Sequence, residues 1–199
     1  MEYKNYLSIL ATGAVITIMM ASCKNETKQY EASPVEVMEL SAKNEIIRGK
    51  YLVGIMGCND CHSPKRMGEN GPELIPELLL SGYPSDRPIV NFDSELIKED
   101  FMMFYPDLTA AAGPWGISFA GNLTPDETGI GNWSEEQFKI ALTKGKFKGL
   151  ENARMLLPPM PWFNYIEMKD EDIRAVFNYL KSIEPVSNLV PPPVSPEDM

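Results

Sequence analysis

The pentapeptide Cys58-Asn59-Asp60-Cys61-His62 constrains this chain more than any other stretch, because it sets two thiols three residues apart with an imidazole directly behind them. Two thioether bonds to the vinyl groups of one haem, with the iron held by the adjacent imidazole, use that spacing in full. A structural zinc site needs four Cys or His ligands. His62 is the one histidine of the chain, and its three cysteines are Cys23, Cys58 and Cys61. A thioredoxin-like redox pair would follow a strand and open a helix in a βαβ setting, whereas the residues before Cys58 carry a helical apolar pattern. The pentapeptide therefore implies covalent haem c, attached through Cys58 and Cys61 and ligated by His62. It occurs once, which implies one haem.

The first residues read as a targeting segment. Lys4 gives a positive start, residues 6–21 are apolar and almost uncharged, and Ser22 and Cys23 follow. The run is short for a membrane span, which wants roughly 20 apolar residues, and suits an export signal. Met20-Ala21-Ser22-Cys23 is similar to the lipobox of bacterial lipoproteins, in which the thiol receives a diacylglycerol and the chain is cut before the cysteine. That resemblance implies a lipoprotein signal peptide over 1–22 and a lipidated Cys23 as mature N-terminus. The protein is then exported and lipid-anchored to a bacterial membrane on its periplasmic or cell-envelope side. A plain signal peptide cut near Ala21 and an uncleaved anchor helix are the competing readings. Export strengthens the haem assignment, because two close cysteines outside the cytosol would otherwise oxidise. With Cys23 used in this way, too few cysteines remain for a disulfide framework.

Residues 23–43 are polar, lack a sustained apolar period and contain Pro34, and are expected to form a flexible tether. Residues 187–199 contain Pro191-Pro192-Pro193 and Pro196 and read as an extended, Pro-rich tail without a core. Residues 44–186 remain for one folded domain. Within it the pattern predicts three helices. The first spans about 44–58, with Ile47 and Tyr51 on one apolar face and Leu52 and Ile55 as further candidates. The second begins at Ser134, whose hydroxyl can form a capping box with Gln137, and stops at Gly145. The third covers about 169–183, with Asp170, Glu171 and Asp172 in its first turn and Ile173, Val176, Phe177 and Leu180 at helical spacing. No alternating strand pattern is visible, so the fold class is expected to be all-α with long loops. Residues 68–121 are the least readable, with 95–104 a candidate short helix. A net charge of −10 argues against nucleic acid as a partner and favours basic protein surfaces.

Residues from about 46 to 190 resemble a class I cytochrome c. Gly71-Pro72-Glu73-Leu74 is similar to the family's G-P-x-L element, which implies that the Pro72 carbonyl accepts the Nδ1 hydrogen of His62. Gly49 and Tyr179 resemble the family's close crossing of first and last helices. Asn122-Leu123-Thr124-Pro125-Asp126, Thr128-Gly129-Ile130-Gly131 with Trp133, and Leu157-Pro158-Pro159-Met160-Pro161-Trp162 are similar to a bacterial branch whose members include electron-accepting subunits of membrane-associated dehydrogenases. The resemblance implies helices packed around one haem, with Met160 as the sixth iron ligand. The flanking Pro159 and Pro161 fix φ and remove competing backbone donors. Met155 is the nearest rival. The long segment 68–121 departs from the smallest members of the family, so contacts to the haem propionates are not carried over.

A haem held by imidazole and thioether has no open position, which implies an electron carrier without a catalytic residue of its own. Its partners would be redox proteins, either a dehydrogenase or a terminal oxidase. An open-site haem enzyme would need a displaceable ligand and a distal acid or base other than histidine. A sensor that loses Met160 on binding a small ligand is the third alternative.

Overall fold

The helix that leads to the cysteine motif is longer than its apolar pattern. In the computed structural model, which describes residues 33–89, 91–98 and 101–199, α1 runs Pro34–Ile55. Cys23 and the expected signal segment lie outside the described residues. Proline is well suited to a first helical turn, and the Glu, Met, Leu, Ala and Lys that follow are good helix formers. Residues 34–43, expected as part of a flexible tether, are therefore helical. The helix also turns a different side inward from the one expected. Gly49, Leu52 and Val53 are buried, while Ile47, Tyr51 and Ile55 are 58%, 57% and 62% exposed. Gly49 explains the rotation, because a Cβ at that position would run into the Ala175 carbonyl and the Tyr179 Cβ of the last helix. The closest approach of the two helices decides which residues face in, and it outweighs the apolar stripe.

That last helix is α5, Asp170–Ser182, and it buries Ile173, Ala175, Val176, Phe177 and Leu180. Between these two, α4 spans Glu135–Lys144 and starts with the expected capping box, Gln137 N–H donating to Ser134 Oγ at 3.1 Å and Ser134 N–H to Gln137 Oε1 at 3.0 Å. Gly145 ends it with φ 64°. Leu52 and Val53 of α1, Phe138 and Leu142 of α4, and Ile173, Val176, Phe177 and Leu180 of α5 form the core with Leu80 and Ile130.

The all-α expectation is corrected by what lies between α1 and α4. After a short helix, α2 (Cys58–His62), come a hairpin of β1 (Lys65–Gly68) with β2 (Gly71–Leu74), a second short helix, α3 (Ser94–Lys98), and an antiparallel sheet of β3 (Met103–Phe104), β4 (Ala110–Gly113) and β5 (Gly116–Phe119). Of the candidate helix over 95–104, residues 95–98 are helical in α3, whereas 103–104 form the strand β3. The strands give little sequence signal for a physical reason. Every residue of β4 is buried, so no alternation arises, and its Ala and Gly residues have low strand propensity.

The C-terminal segment is not a loose tail. Ile117 and Val194 exchange both backbone hydrogen bonds, at 2.9 and 3.0 Å, so β5 is flanked on both sides. Asn188 is buried, donates to the carbonyls of Ser81 at 2.6 Å and Tyr83 at 2.9 Å, and accepts from Ser85 N–H at 2.8 Å. Proline-rich composition disfavours helix and strand interiors, but it does not stop a segment from docking through its neighbours' polar groups. Asn188→Ala leaves two carbonyls and one N–H without these partners and is expected to cost about 2–3 kcal/mol. Ser187→Ala, at an exposed position, should stay within about 0.5 kcal/mol. Denaturant unfolding of the two variants checks the difference.

Candidate functional site

Gly57, in the left-handed region at φ 70°, separates α1 from α2 and redirects the chain after Met56. In the single turn of α2 that follows, Cys58 and Cys61 stand at i and i+3, neighbours on one side of the helix. Both are free thiols and half-buried, and Cys58 packs against the core. Burial pushes the Cys58 thiol up to about 11. Cys61 is raised as well, by burial first and then by Asp60, with Lys65 pulling it back. A reactive dithiol needs a depressed thiol pKa. This pair has the opposite character.

The carbonyl of Gly121 lies 2.7 Å from His62 Nδ1. A carbonyl only accepts, so Nδ1 carries the hydrogen and the lone pair of Nε2 is left for a metal. Close packing lowers the pKa of His62 against the opposing effect of that hydrogen bond, which keeps the imidazole neutral. The expectation for Pro72 is thereby corrected. Pro72 sits in β2 opposite Met67, is exposed, and belongs to a hairpin. Pairing with β1 takes the Gly71–Leu74 segment away from the imidazole, and residue 121 supplies the acceptor in its place.

Two side chains that sequence reasoning passed over hold α2 in position. Ser63 is fully buried, donates to Asn59 Oδ1 at 2.9 Å and accepts from Leu80 N–H at 2.8 Å. Lys65 Nζ lies at the end of α2 and donates to the carbonyls of Asp60 at 2.7 Å, Asp107 at 2.9 Å and Ser63 at 3.0 Å, with Asn59 at 3.4 Å. A cation three residues past the end of a helix is the one sequence signal that could have found it, since the terminal carbonyls there lack partners.

Met160 is half-buried and packs on the same core cluster as Cys58, whereas Met155 is 39% exposed and pairs with Lys146 in an isolated bridge. The 3-10 turn Trp162–Tyr165 follows directly, and Tyr165 donates to the Met56 carbonyl at 3.3 Å, which ties the Met160 loop to the chain just before the thiols. Trp162 rests on Gly145, at the end of α4. Met56, Leu123, Trp133, Tyr165 and Met168 all pack against the core while keeping part of their surface open. This apolar lining, with two thiols on one turn and an imidazole Nε2 beside them, fits a flat apolar macrocycle attached at one edge. Among the described residues, no group of three or more His, Cys, Asp or Glu side chains could hold a bare metal ion. The donors present suit a metal that brings its other ligands with it.

Lys65→Met keeps the apolar stem and removes the donor shared by these carbonyls. It should destabilise the protein by about 2 kcal/mol in denaturant unfolding, the cost of leaving polar groups unpaired near the end of α2.

The cytochrome c family model matches residues 46–184. The chain is 28% identical over 184 residues to the fructose dehydrogenase cytochrome subunit of Gluconobacter japonicus, covering 91% of this chain and 29% of that protein. It is 37% identical over 78 residues to the gluconate 2-dehydrogenase cytochrome c subunit of Pantoea cypripedii, 38% of this chain and 17% of that protein. Over 76 residues it is 37% identical to the cytochrome c subunit of the quinone alcohol dehydrogenase of Gluconobacter oxydans, 37% of this chain and 15% of that protein. The chain thus spans less than a third of the length of these relatives. The family match runs from α1 to the end of α5 and contains the thiol pair, the imidazole and the Met160 loop, and on that match the chain belongs to the cytochrome c family.

Proposed function

We propose that this chain is a single-electron carrier with one haem c, attached through Cys58 and Cys61 and ligated by His62 and Met160, serving as the electron-accepting subunit of a membrane-associated dehydrogenase. The observation that carries the proposal is the placement of the Met160 loop on the core cluster that also holds Cys58, with His62 fixed in the tautomer that offers Nε2. When bound, the haem would supply a one-electron iron couple, and a thioether ligand would raise its potential relative to a second imidazole. The protein's own contribution is positional and electrostatic. Gly121 orients the imidazole, the cysteines would fix one edge of the macrocycle, and the apolar lining would keep water from the iron. His62 and Met160 together would leave the haem iron no place for a substrate, which favours a carrier over an open-site enzyme.

Relatives named as cytochrome subunits of sugar-acid, alcohol and fructose dehydrogenases support a dehydrogenase as donor. Encounters through an exposed haem edge need only small interfaces, and a net charge of −10 steers them toward basic surfaces. Among the described residues no helix is long and apolar enough to cross a membrane. Attachment to the periplasmic or cell-envelope side of a bacterial membrane is proposed to run through a lipid on Cys23.

Purified protein should hold one iron per chain, with haem colour retained on the polypeptide under denaturing electrophoresis. Met160→Ala should abolish the iron–thioether absorption band, lower the reduction potential and let carbon monoxide bind the reduced form rapidly. Met155→Ala should do none of these. Rapid binding of carbon monoxide by the unmodified protein would sink the carrier assignment. Cys23→Ser should move the exported protein from the membrane to the soluble fraction; continued retention with residues 1–22 present by mass would point to an anchor helix.

A further inference from the structure

The long segment 68–121 departs from the smallest cytochromes that the sequence resembles, and the structure brings one strand of it to His62 and to the loop that carries Met160. Gly121, two residues past β5, accepts from His62 Nδ1. Ser118, within β5, donates from Oγ to the carbonyl of Pro158 at 2.6 Å, two residues before Met160. We propose that β5 is a splint between the two axial ligands and that Ser118 is a positioning residue for Met160. The inference rests on Met160 being the sixth ligand.

The strand is fit for that task because it cannot shift on its own. β4 pairs with it on one side and the Val194 backbone on the other. Just beyond its end, Ala120 N–H donates to the Thr109 carbonyl at 2.8 Å, and Ala120 O accepts from Tyr83 N–H at 2.9 Å. Ser118 is buried, and its hydroxyl is oriented as well as placed. Trp115 Nε1 donates to it at 3.3 Å, which turns the hydroxyl hydrogen toward an acceptor. The carbonyls of Ala111 at 3.3 Å and Pro158 at 2.6 Å are the acceptors within reach, and the second is much the closer. At its start the Met160 loop is held by Leu156 N–H donating to Gly145 O at 2.6 Å, and at its end by Trp162 lying on Gly145. Ser118 holds the stretch between these two clamps. A proline carbonyl fixed by a buried donor leaves the thioether few orientations, so the ordering cost of ligation is met by the fold in advance.

The consequence is a population shift. External imidazole must compete with Met160 for ferric iron, so its apparent affinity reports how firmly the thioether is held. Ser118→Ala should tighten imidazole binding to the oxidised protein about two- to tenfold, the worth of one ordinary hydrogen bond. The iron–thioether band should weaken in parallel. Trp115→Phe, which removes the orienting donor together with part of the ring over Gly113, should move both readouts in the same direction and by less. Ile117→Val loosens the same strand without touching the hydroxyl and should change neither. In a Met160→Ala background, Ser118→Ala should have no further effect. If Met160→Ala itself leaves imidazole binding unchanged, the ligand assignment is wrong. If Met160→Ala tightens binding while Ser118→Ala and Trp115→Phe both match the unmodified protein, the splint is wrong and the ligand assignment stands. An equal effect of Ser118→Ala in the presence and absence of Met160 would also overturn it. Should Ser118→Ala fail to accumulate, the Trp115→Phe and Ile117→Val pair decides on the same two readouts.

Discussion

The hydrogen bond from His62 Nδ1 to the Gly121 carbonyl, 2.7 Å long, is the constraint on which the rest of the site depends. It joins a residue at the end of one helical turn to a backbone atom 59 positions later in the chain. Everything between must therefore return to the imidazole with an accuracy set by hydrogen-bond geometry, a few tenths of an ångström. Two small sheets, a buried ion pair between Arg87 and Asp107 and the Lys65 ammonium serve that return. Arg87 also stacks on Tyr83 and Tyr105, at 5.1 and 4.6 Å from the ring centroids. Asp107 accepts from Arg87 through its side chain and from Lys65 through its carbonyl, so this network is continuous with α2. The desolvation of a buried pair is offset only when its remaining polar atoms are satisfied, and here Thr109 donates twice to the same carboxylate.

A second constraint is steric. Gly49 admits the backbone of α5 where no side chain could fit, and the crossing it creates sets the rotation of α1. That rotation carries down to Met56 and Gly57 and so fixes where α2 begins. Tyr165 closes the circuit from the other side by bonding the Met56 carbonyl. Thiols, imidazole and the Met160 loop are thus each referred to the same pair of crossing helices, although they come from separate parts of the chain.

The sequence made legible those features that are carried by side chains at fixed spacing. The cysteine–histidine pentapeptide, the Ser134–Gln137 capping box, the C-terminal stop at Gly145 and the apolar repeat of α5 all depend on local geometry that a few residues specify. What stayed hidden was carried by backbone or by non-local contacts. A carbonyl has no residue signature, so the acceptor for His62 fell to Pro72 by resemblance when Gly121 supplies it. In the second sheet β3 is too short to alternate, and β4 and β5 are too thoroughly buried. The inward side of α1 is decided by a glycine against a distant helix, which its own apolar pattern of Ile47, Tyr51 and Ile55 contradicts. Residues 187–199 read as a tail because proline is a local signal, whereas the docking of Asn188 is a tertiary one.

The protonation preferences of the site favour the states that the cofactor requires. His62 is held below its ordinary pKa, so the folded protein resists protonating it. An unfolded histidine takes up a proton near pH 6.5. The contribution of neutral His62 to stability is therefore whole above that pH and is lost as the pH falls toward the depressed folded value. Iron bound at Nε2 would act in the same direction, since a metal competes with the proton for one lone pair. Cys58 presents the mirror image. With its thiol raised to about 11 by burial, a protein with free thiols loses stability as the pH rises from the unfolded value of about 8.5 toward the folded one. A thioether has no proton to lose. Covalent attachment would thus remove the alkaline liability of a buried thiol and leave His62, whose neutrality the surrounding packing maintains against the opposing effect of the Gly121 hydrogen bond, as the group of the motif that acid would disturb.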